Sequence, residues 1–305
     1  NDIVKHKKSL LSSPVEYAVT AAMLFTVALT ICHSVVQAQE PAVAGYDNST
    51  AISARARAIA RSDLATYHSL GTTLGGRDLP LITIGRGDVD AKPAVLVVAG
   101  VNPERLIDSE IALQLAERLV DGSEGNPDLR RILNRVTFYI IPRCSPDASE
   151  SFFIAPHAER ATNLRPMDDD TDGQVDEDGP EDLNGDGQIT MMRVEDPSGR
   201  YIPHPNDGRV MIEADATQGE LGRFSLYAEG RDNDGDLEVN EDPVGGVIFN
   251  RNFTFDYPYF EQGSGPHQVS EVETRAVADF AFTHPNIAIV WTLTEEENLQ
   301  GAWEI

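Results

Sequence analysis

Asn250-Arg251-Asn252-Phe253 stands directly behind a strand-like run, Gly246-Val247-Ile248-Phe249. A side-chain amide beside a guanidinium presents a fork of hydrogen-bond donors, and a carboxylate fits such a fork in two-point geometry. The chemical expectation is a carboxylate-binding pocket around Asn250 and Arg251. The plainer alternative is a satisfied turn that closes a strand.

A second chemistry lies between Pro166 and Gly245. Asp168-x-Asp170-x-Asp172-Gly173-x-Val175, Asp182-x-Asn184-x-Asp186-Gly187-x-Ile189 and Asp232-x-Asp234-x-Asp236 repeat one alternation. Alternate residues aim oxygen ligands inward and the Gly permits a sharp turn, a pattern that suits calcium. None of the three is a full EF-hand. Twelve-position counting puts Gly179 and Arg193 where a bidentate Glu belongs, and Leu237 replaces the turn Gly in the third. Asp176, Glu177, Asp178, Glu195 and Glu241 stand close enough to complete the shells, and a disordered acidic loop is the alternative.

Other segments carry residues of interest. Ala94-Val95-Leu96-Val97-Val98-Ala99-Gly100 is a buried-type strand, followed by Val101-Asn102-Pro103-Glu104-Arg105. Phe138-Tyr139-Ile140-Ile141-Pro142 precedes Ser145-Pro146-Asp147-Ala148. Gly265-Pro266 leads into Ser270-Glu271-Val272-Glu273-Thr274-Arg275, and His284-Pro285-Asn286-Ile287-Ala288-Ile289-Val290 follows. In this order and spacing they resemble the carboxypeptidase A-like zinc carboxypeptidases, over residues 60–303. Five separated motifs agree, which makes the resemblance specific.

The resemblance implies proteolysis of peptide C-termini by one zinc, held by a His and a Glu three residues apart and by a second His after the later strand. Neutral imidazole and carboxylate donors bind zinc and leave it acidic enough to ionise water. Here those positions read Asn102, Arg105 and Thr294. Arg offers only donors and cannot coordinate a cation, and Asn and Thr are poor zinc ligands. Glu104 is one residue from a ligand position, but His157, His204, His267 and His284 lie in other segments. The expectation is a family member with a degenerate zinc site and impaired or absent hydrolysis. Its general base is expected beyond Ile305. Asn250 and Arg251 match the pair that grips a C-terminal carboxylate, although Ile248 stands where the family often has Asp. Arg165, with Arg160 as the alternative, matches the Arg that polarises the scissile carbonyl. The partners implied are peptide or protein C-termini. A non-catalytic carboxylate-binding protein and a calcium-stabilised surface module are the readings from other classes.

Composition bounds these readings. The formal charge is −26, and residues 166–245 hold 23 acids against five Arg. This excludes nucleic-acid binding through a basic patch. Lys5, Lys7 and Lys8 precede an uncharged run from Tyr17 to Gln39, and Val36-Gln37-Ala38 offers small residues for cleavage. The pattern predicts a signal peptide over 1–38 and a secreted, periplasmic or cell-surface protein with no stable membrane insertion. An uncleaved signal anchor is the alternative. Cleavage leaves Cys144 as the only cysteine, so no intrachain disulfide is expected.

The elements that must position these residues follow from periodicity. A linker is expected over 39–48 and a carboxypeptidase-like domain over 49–305, interrupted by a loop-rich acidic insertion at 166–245. Thr50–Leu64 reads as a helix, and residues 79–84, 94–99, 136–141 and 287–292 as strands. Asp108 or Ser109 is expected to cap a helix whose apolar face is Ile111, Ala112, Leu115, Ala116 and Leu119. Ser270-x-x-Glu273 reads as a capping box opening a helix to about Thr283. Alternating strands and helices imply an α/β fold, a mixed and mostly parallel sheet with helices on both faces. Asn102, Asn250 and Thr294 each follow a strand, where ligands bind in such sheets.

Overall fold

The computed structural model describes residues 43, 45–169, 171–235 and 237–294. The expected leader, half of the linker, and Asp170 and Asp236 lie outside the described residues.

Asp47 and Asn48, read above as the end of the linker, are tied into the domain. Asn48 caps helix α1 (Ser49–Ile59), its side-chain oxygen accepting the Ala51 N–H at 2.9 Å. Asp47 pairs with Arg55 at 2.9 Å. Arg55 also reaches Glu110 at 2.5 Å and Glu117 at 2.9 Å, which pins α1 against helix α2 (Leu106–Gly125).

The main sheet has five strands: β1 (Ala65–Thr72), β2 (Asp78–Ile84), β3 (Ala94–Val98), β4 (Thr137–Ile141) and β9 (Ile287–Thr292). Their spatial order is β1-β2-β4-β3-β9. The pairings β1–β2 and β2–β4 are antiparallel, and β4–β3 and β3–β9 are parallel, so the sheet is mixed. Because side chains alternate across a strand, the sheet has two apolar faces. Ile82, Ile84, Val97 and Ile140 pack against Ile52 and Ala56 of α1, Ala112, Leu113 and Ala116 of α2, and Leu133 of α3 (Pro127–Arg135). Leu81, Leu96, Val98, Tyr139 and Ile141 face Val277 and Phe280 of α5 (Val272–Thr283), with Phe249 and Cys144 beside them. Helices thus cover both faces.

Several local expectations are corrected. The helix expected to reach Leu64 ends at Ile59, and the chain turns directly into β1. β1 escapes periodicity because it pairs only with β2 and leaves most of its Thr66-Tyr67-His68-Ser69 stretch half-buried or exposed. Helix α2 starts at Leu106, with Arg105 at the cap, which puts Asp108 and Ser109 inside its first turn. Its buried stripe is Ala112, Leu113, Ala116 and Leu119, while Ile111 points outward at 45% exposure. The capping box at Ser270 does not form. The Ser270 hydroxyl donates to Glu271 at 2.6 Å and accepts from Asn252 at 3.0 Å, and Glu273 turns inward.

The acidic segment is not loop alone. It carries a four-stranded antiparallel sheet from β5 (Met191–Glu195), β6 (Tyr201–His204), β7 (Asp207–Glu213) and β8 (Phe224–Ala228), in the order β5-β8-β6-β7. None of its strand residues is fully buried, so it lacks the apolar alternation that marks a strand in sequence. A four-residue helix α4 (Pro146–Ser149) follows β4, and a 3₁₀ turn spans Phe249–Arg251. Among the described residues no helix is long and apolar enough to cross a membrane.

Candidate functional site

The parallel strands β3, β4 and β9 end together. Beyond β3 the ladder continues through Ala99 N–H to Ile141 O and Cys144 N–H to Ala99 O, both 2.9 Å, and Leu293 N–H to Val98 O at 2.9 Å. Gly100 closes β3 with φ +71°, and an added Cβ would meet the Arg143 backbone at 3.3 Å, so glycine is required there. A cleft of about 1270 Å³ opens at this end and along α5. Asn102, Asn250 and Thr294 supply polar groups to it, and Phe249, Phe253 and Trp291 are among its apolar walls.

Arg105 does not line the cleft. It sits at the start of α2 with its guanidinium 3.5 Å from Asp108. Glu104 is exposed and is also absent from the cleft wall. The donor set facing the cleft from the expected metal positions is therefore an amide and a hydroxyl, with no imidazole or carboxylate. These residues do not fit zinc. The histidines bring no help. The His284 ring stacks on Phe280 at 3.9 Å between centroids, His267 is exposed, and His157 is held through its backbone to Gly187 and Ile189.

The structure separates the Asn250–Arg251 fork. Asn250 borders the large cleft, whereas Arg251 lines a second hollow of about 480 Å³ and bonds Glu261 at 2.5 Å. Successive residues of a 3₁₀ turn point about 120° apart, so neighbours in sequence diverge in space. Asn252 is the residue that the sequence reading missed. It is fully buried, and its amide donates to Ser264 O at 2.7 Å, His267 O at 3.1 Å and the Ser270 hydroxyl. Its oxygen accepts from Glu271 N–H at 3.2 Å and the Thr274 hydroxyl at 2.7 Å, which caps α5 from a distant part of the chain. The polar residue repeated at Asn250 and Asn252 was the available signal.

Arg165 pairs with Glu271 at 3.2 Å, and Asn163 donates to the other oxygen of that carboxylate at 2.9 Å. Beside it, Glu273 is 3% exposed and neither of its oxygens meets a donor among the described residues. Burial pushes its carboxyl up to about 7, and the charges of Asp147 and Glu271 add to the effect. Both acids border a cavity of about 10 Å³, at the lower limit for one water. Arg160 lies near Asp147, and burial lowers its pKa. Asp147 serves the framework, taking the Thr73 hydroxyl at 2.6 Å, Gly75 N–H at 2.9 Å and Arg77 at 2.9 Å. Cys144 is fully buried and its thiol is pushed far up by burial, which removes it as a nucleophile.

In the acidic segment the first Asp of each loop takes the N–H five residues on. The pairs are Asp168–Gly173 at 3.2 Å, Asp182–Gly187 at 2.7 Å and Asp232–Leu237 at 3.1 Å. Buried carboxylates knit the loops together. Asp178 accepts Asn233 N–H at 3.1 Å and Asn240 N–H at 2.7 Å, and Glu229 accepts Leu183 N–H at 2.9 Å and Asn184 N–H at 3.1 Å. Among the described residues one group of acids and histidines has metal-ligand spacing: Asp172, Glu177 and Asp234. Members of the first and third loops are thus brought together. Desolvation, then contact with Asp242, pushes the Glu177 carboxyl up to about 7.

Comparison with known proteins finds similarity to zinc carboxypeptidases over part of the chain. Residues 52–163 match the zinc carboxypeptidase family. Carboxypeptidase B of Astacus astacus is 28% identical over 100 residues, 33% of this chain and 32% of that protein. Carboxypeptidase M of Mus musculus is 24% identical over 93 residues, 30% of this chain and 21% of that protein. The chain thus spans about a third or less of these relatives. Among solved structures, carboxypeptidase A from Helicoverpa armigera aligns with a TM-score of 0.49 at 15% identity, covering 81% of this chain and 45% of that one. A putative carboxypeptidase from Burkholderia mallei aligns at 0.32 and 30% identity, covering 36% and 27%. Over residues 52–163 the chain is thus similar to the zinc carboxypeptidases.

Proposed function

We propose that this protein is an exported carboxypeptidase relative that recognises peptide C-termini and does not hydrolyse them through the family's zinc positions. The observation that carries the reading is the donor set: Asn102 and Thr294 on the cleft, and Arg105 turned to Asp108. A guanidinium has no lone pair for a cation, and an amide with a hydroxyl is too weak to hold zinc. Elemental analysis after dialysis should find no stoichiometric zinc, and a peptidase assay should find no metal-dependent activity. Stoichiometric zinc that vanishes in Glu104→Ala would overturn this.

The recognition half rests on Asn250 at the cleft and on Arg165 and Arg251, whose side chains keep 36% and 37% of their surface exposed. An incoming carboxylate must displace or share Glu271 or Glu261, and the charge of −26 opposes anions at long range. Affinity should therefore be modest, about 10 μM to 1 mM, and added salt should first improve it by screening. Calorimetry comparing a C-terminal peptide acid with its amide tests this. Equal binding of both, or no loss in Arg251→Ala, removes the carboxylate reading.

Two finer readings accompany it. The acidic segment 166–245 holds calcium, supported by the recurring Asp loops and their shared amide geometry. Residues 1–38 direct export, supported by the basic start, the uncharged run and Val36-Gln37-Ala38. An N-terminus starting at Gln39 in secreted material is the expected result.

A further inference from the structure

Asp172 and Asp234 come from loops 62 positions apart, yet their carboxylates and that of Glu177 each offer an oxygen within 4.8 Å of the others. Oxygens bound to one calcium at about 2.3–2.6 Å stand at most about 5 Å apart. The spread of the three groups fits one shared ion.

Proximity of acids is weak evidence, and a separate feature points the same way. Asp242 is fully buried; its Oδ1 accepts Asp169 N–H at 2.9 Å, and its Oδ2 meets no donor. Its side chain is set against Glu177, whose Oε2 is likewise buried without a donor. Two carboxylates facing each other, each with an unanswered oxygen, need a positive charge or a proton between them. The segment offers few cations, with five Arg and no Lys over residues 166–245. The donors are all oxygens and include no sulfur or imidazole, which selects a hard cation. Irregular loops suit calcium over the stricter octahedron of magnesium.

We propose that Asp172, Glu177 and Asp234 hold one calcium ion that joins the first and third acidic loops, with the buried Asp242 carboxylate supporting Glu177. This rests on the calcium reading of the acidic segment and goes further by naming one composite site across two loops. The composite site leaves out the middle loop, because no carboxylate of Asp182 or Asp186 falls within the group at metal-ligand spacing among the described residues. The ion is a clasp. It closes loops that Asp178 has brought side by side.

The test is calorimetric titration of the full chain, stripped with chelator, against calcium chloride at constant ionic strength. Glu177→Gln and Asp242→Asn should each weaken binding about 10- to 100-fold, and Asp186→Asn should leave it unchanged. Calcium should also protect residues 229–245 from proteolysis in the parent and not in Glu177→Gln. Melts in chelator establish that each variant folds; if Asp242→Asn does not, the half-buried Glu177→Gln decides. Binding that survives Glu177→Gln and is lost in Asp186→Asn would overturn the composite site while leaving the calcium reading intact. No calcium heat and no calcium-dependent melt in the parent would overturn both.

Discussion

The main sheet and the acidic segment solve the same problem with opposite chemistry. In the sheet, order comes from apolar burial: Val97, Ile140, Leu113 and Leu133 are fully buried between strands and helices. In the segment almost no apolar side chain is buried, and order comes from carboxylates that reach backbone amides. Asp178, Glu229 and Asp242 are its buried residues of note, and each accepts at least one N–H. The first mode is cooperative, because every contact shares neighbours. The second is a set of local clasps, and it leaves like charges close together. The family match at residues 52–163 falls wholly outside the segment.

The contrast can be broken most severely from the apolar side. Leu113→Ala should cost about 2–5 kcal/mol, the loss of a buried leucine plus its cavity. Urea denaturation should show the whole domain shifting, and added calcium should not rescue it.

Next in size is Glu273, a charged-type residue inside the apolar region. Its folded carboxyl is pushed up to about 7, above the ordinary glutamate value of 4.5. A raised acid contributes stability that is complete below the unfolded value and lost as pH rises through the folded one. Stability should therefore fall between about pH 4.5 and 7 by up to about 3 kcal/mol. Glu273→Gln should flatten that slope in denaturation curves taken across the range. An unchanged slope would assign the pH dependence elsewhere.

Asp178→Asn should be smaller and local. It weakens two charge-assisted bonds to Asn233 and Asn240, about 1.5–3 kcal/mol for such an acceptor. Limited proteolysis should nick the chain within 229–245 while the main transition stays within about 0.5 kcal/mol. A global shift would mean that the two regions are one cooperative unit. Smallest of all is Asn250→Ala, an exposed site that should change stability by less than about 0.5 kcal/mol. Its effect belongs in peptide binding.

Much of this molecule was written in local pattern. The runs 79–84, 94–99 and 136–141 are continuous and apolar because they are central to a covered sheet, and they appear as strands within a residue or so of those bounds. The run 287–292, expected as a buried strand, is the strand β9, which pairs with β3 alone among the described residues and is mostly exposed. The Gly that ends β3 and the positions of Asn102 and Thr294 after strands follow from the same reading, as does the calcium-like alternation of the Asp loops. The edge strand β1 and the sheet β5–β8 did not appear, because strands without a buried face carry no apolar period.

What only the tertiary structure decided is which of these residues meet. Adjacency in sequence joined Asn250 to Arg251, but one step of a 3₁₀ turn sends them to different hollows. Three similar loops repeat one alternation, and Asp178 draws the first and third together, with Asp172, Glu177 and Asp234 around one point. The Ser270–Glu273 spacing suggested a cap, and Asn252 took that role from 19 positions away. Residue type and spacing determine what a side chain can do. Its partner is chosen by long-range packing, which brings distant donors closer than local ones, and that choice is not encoded in spacing.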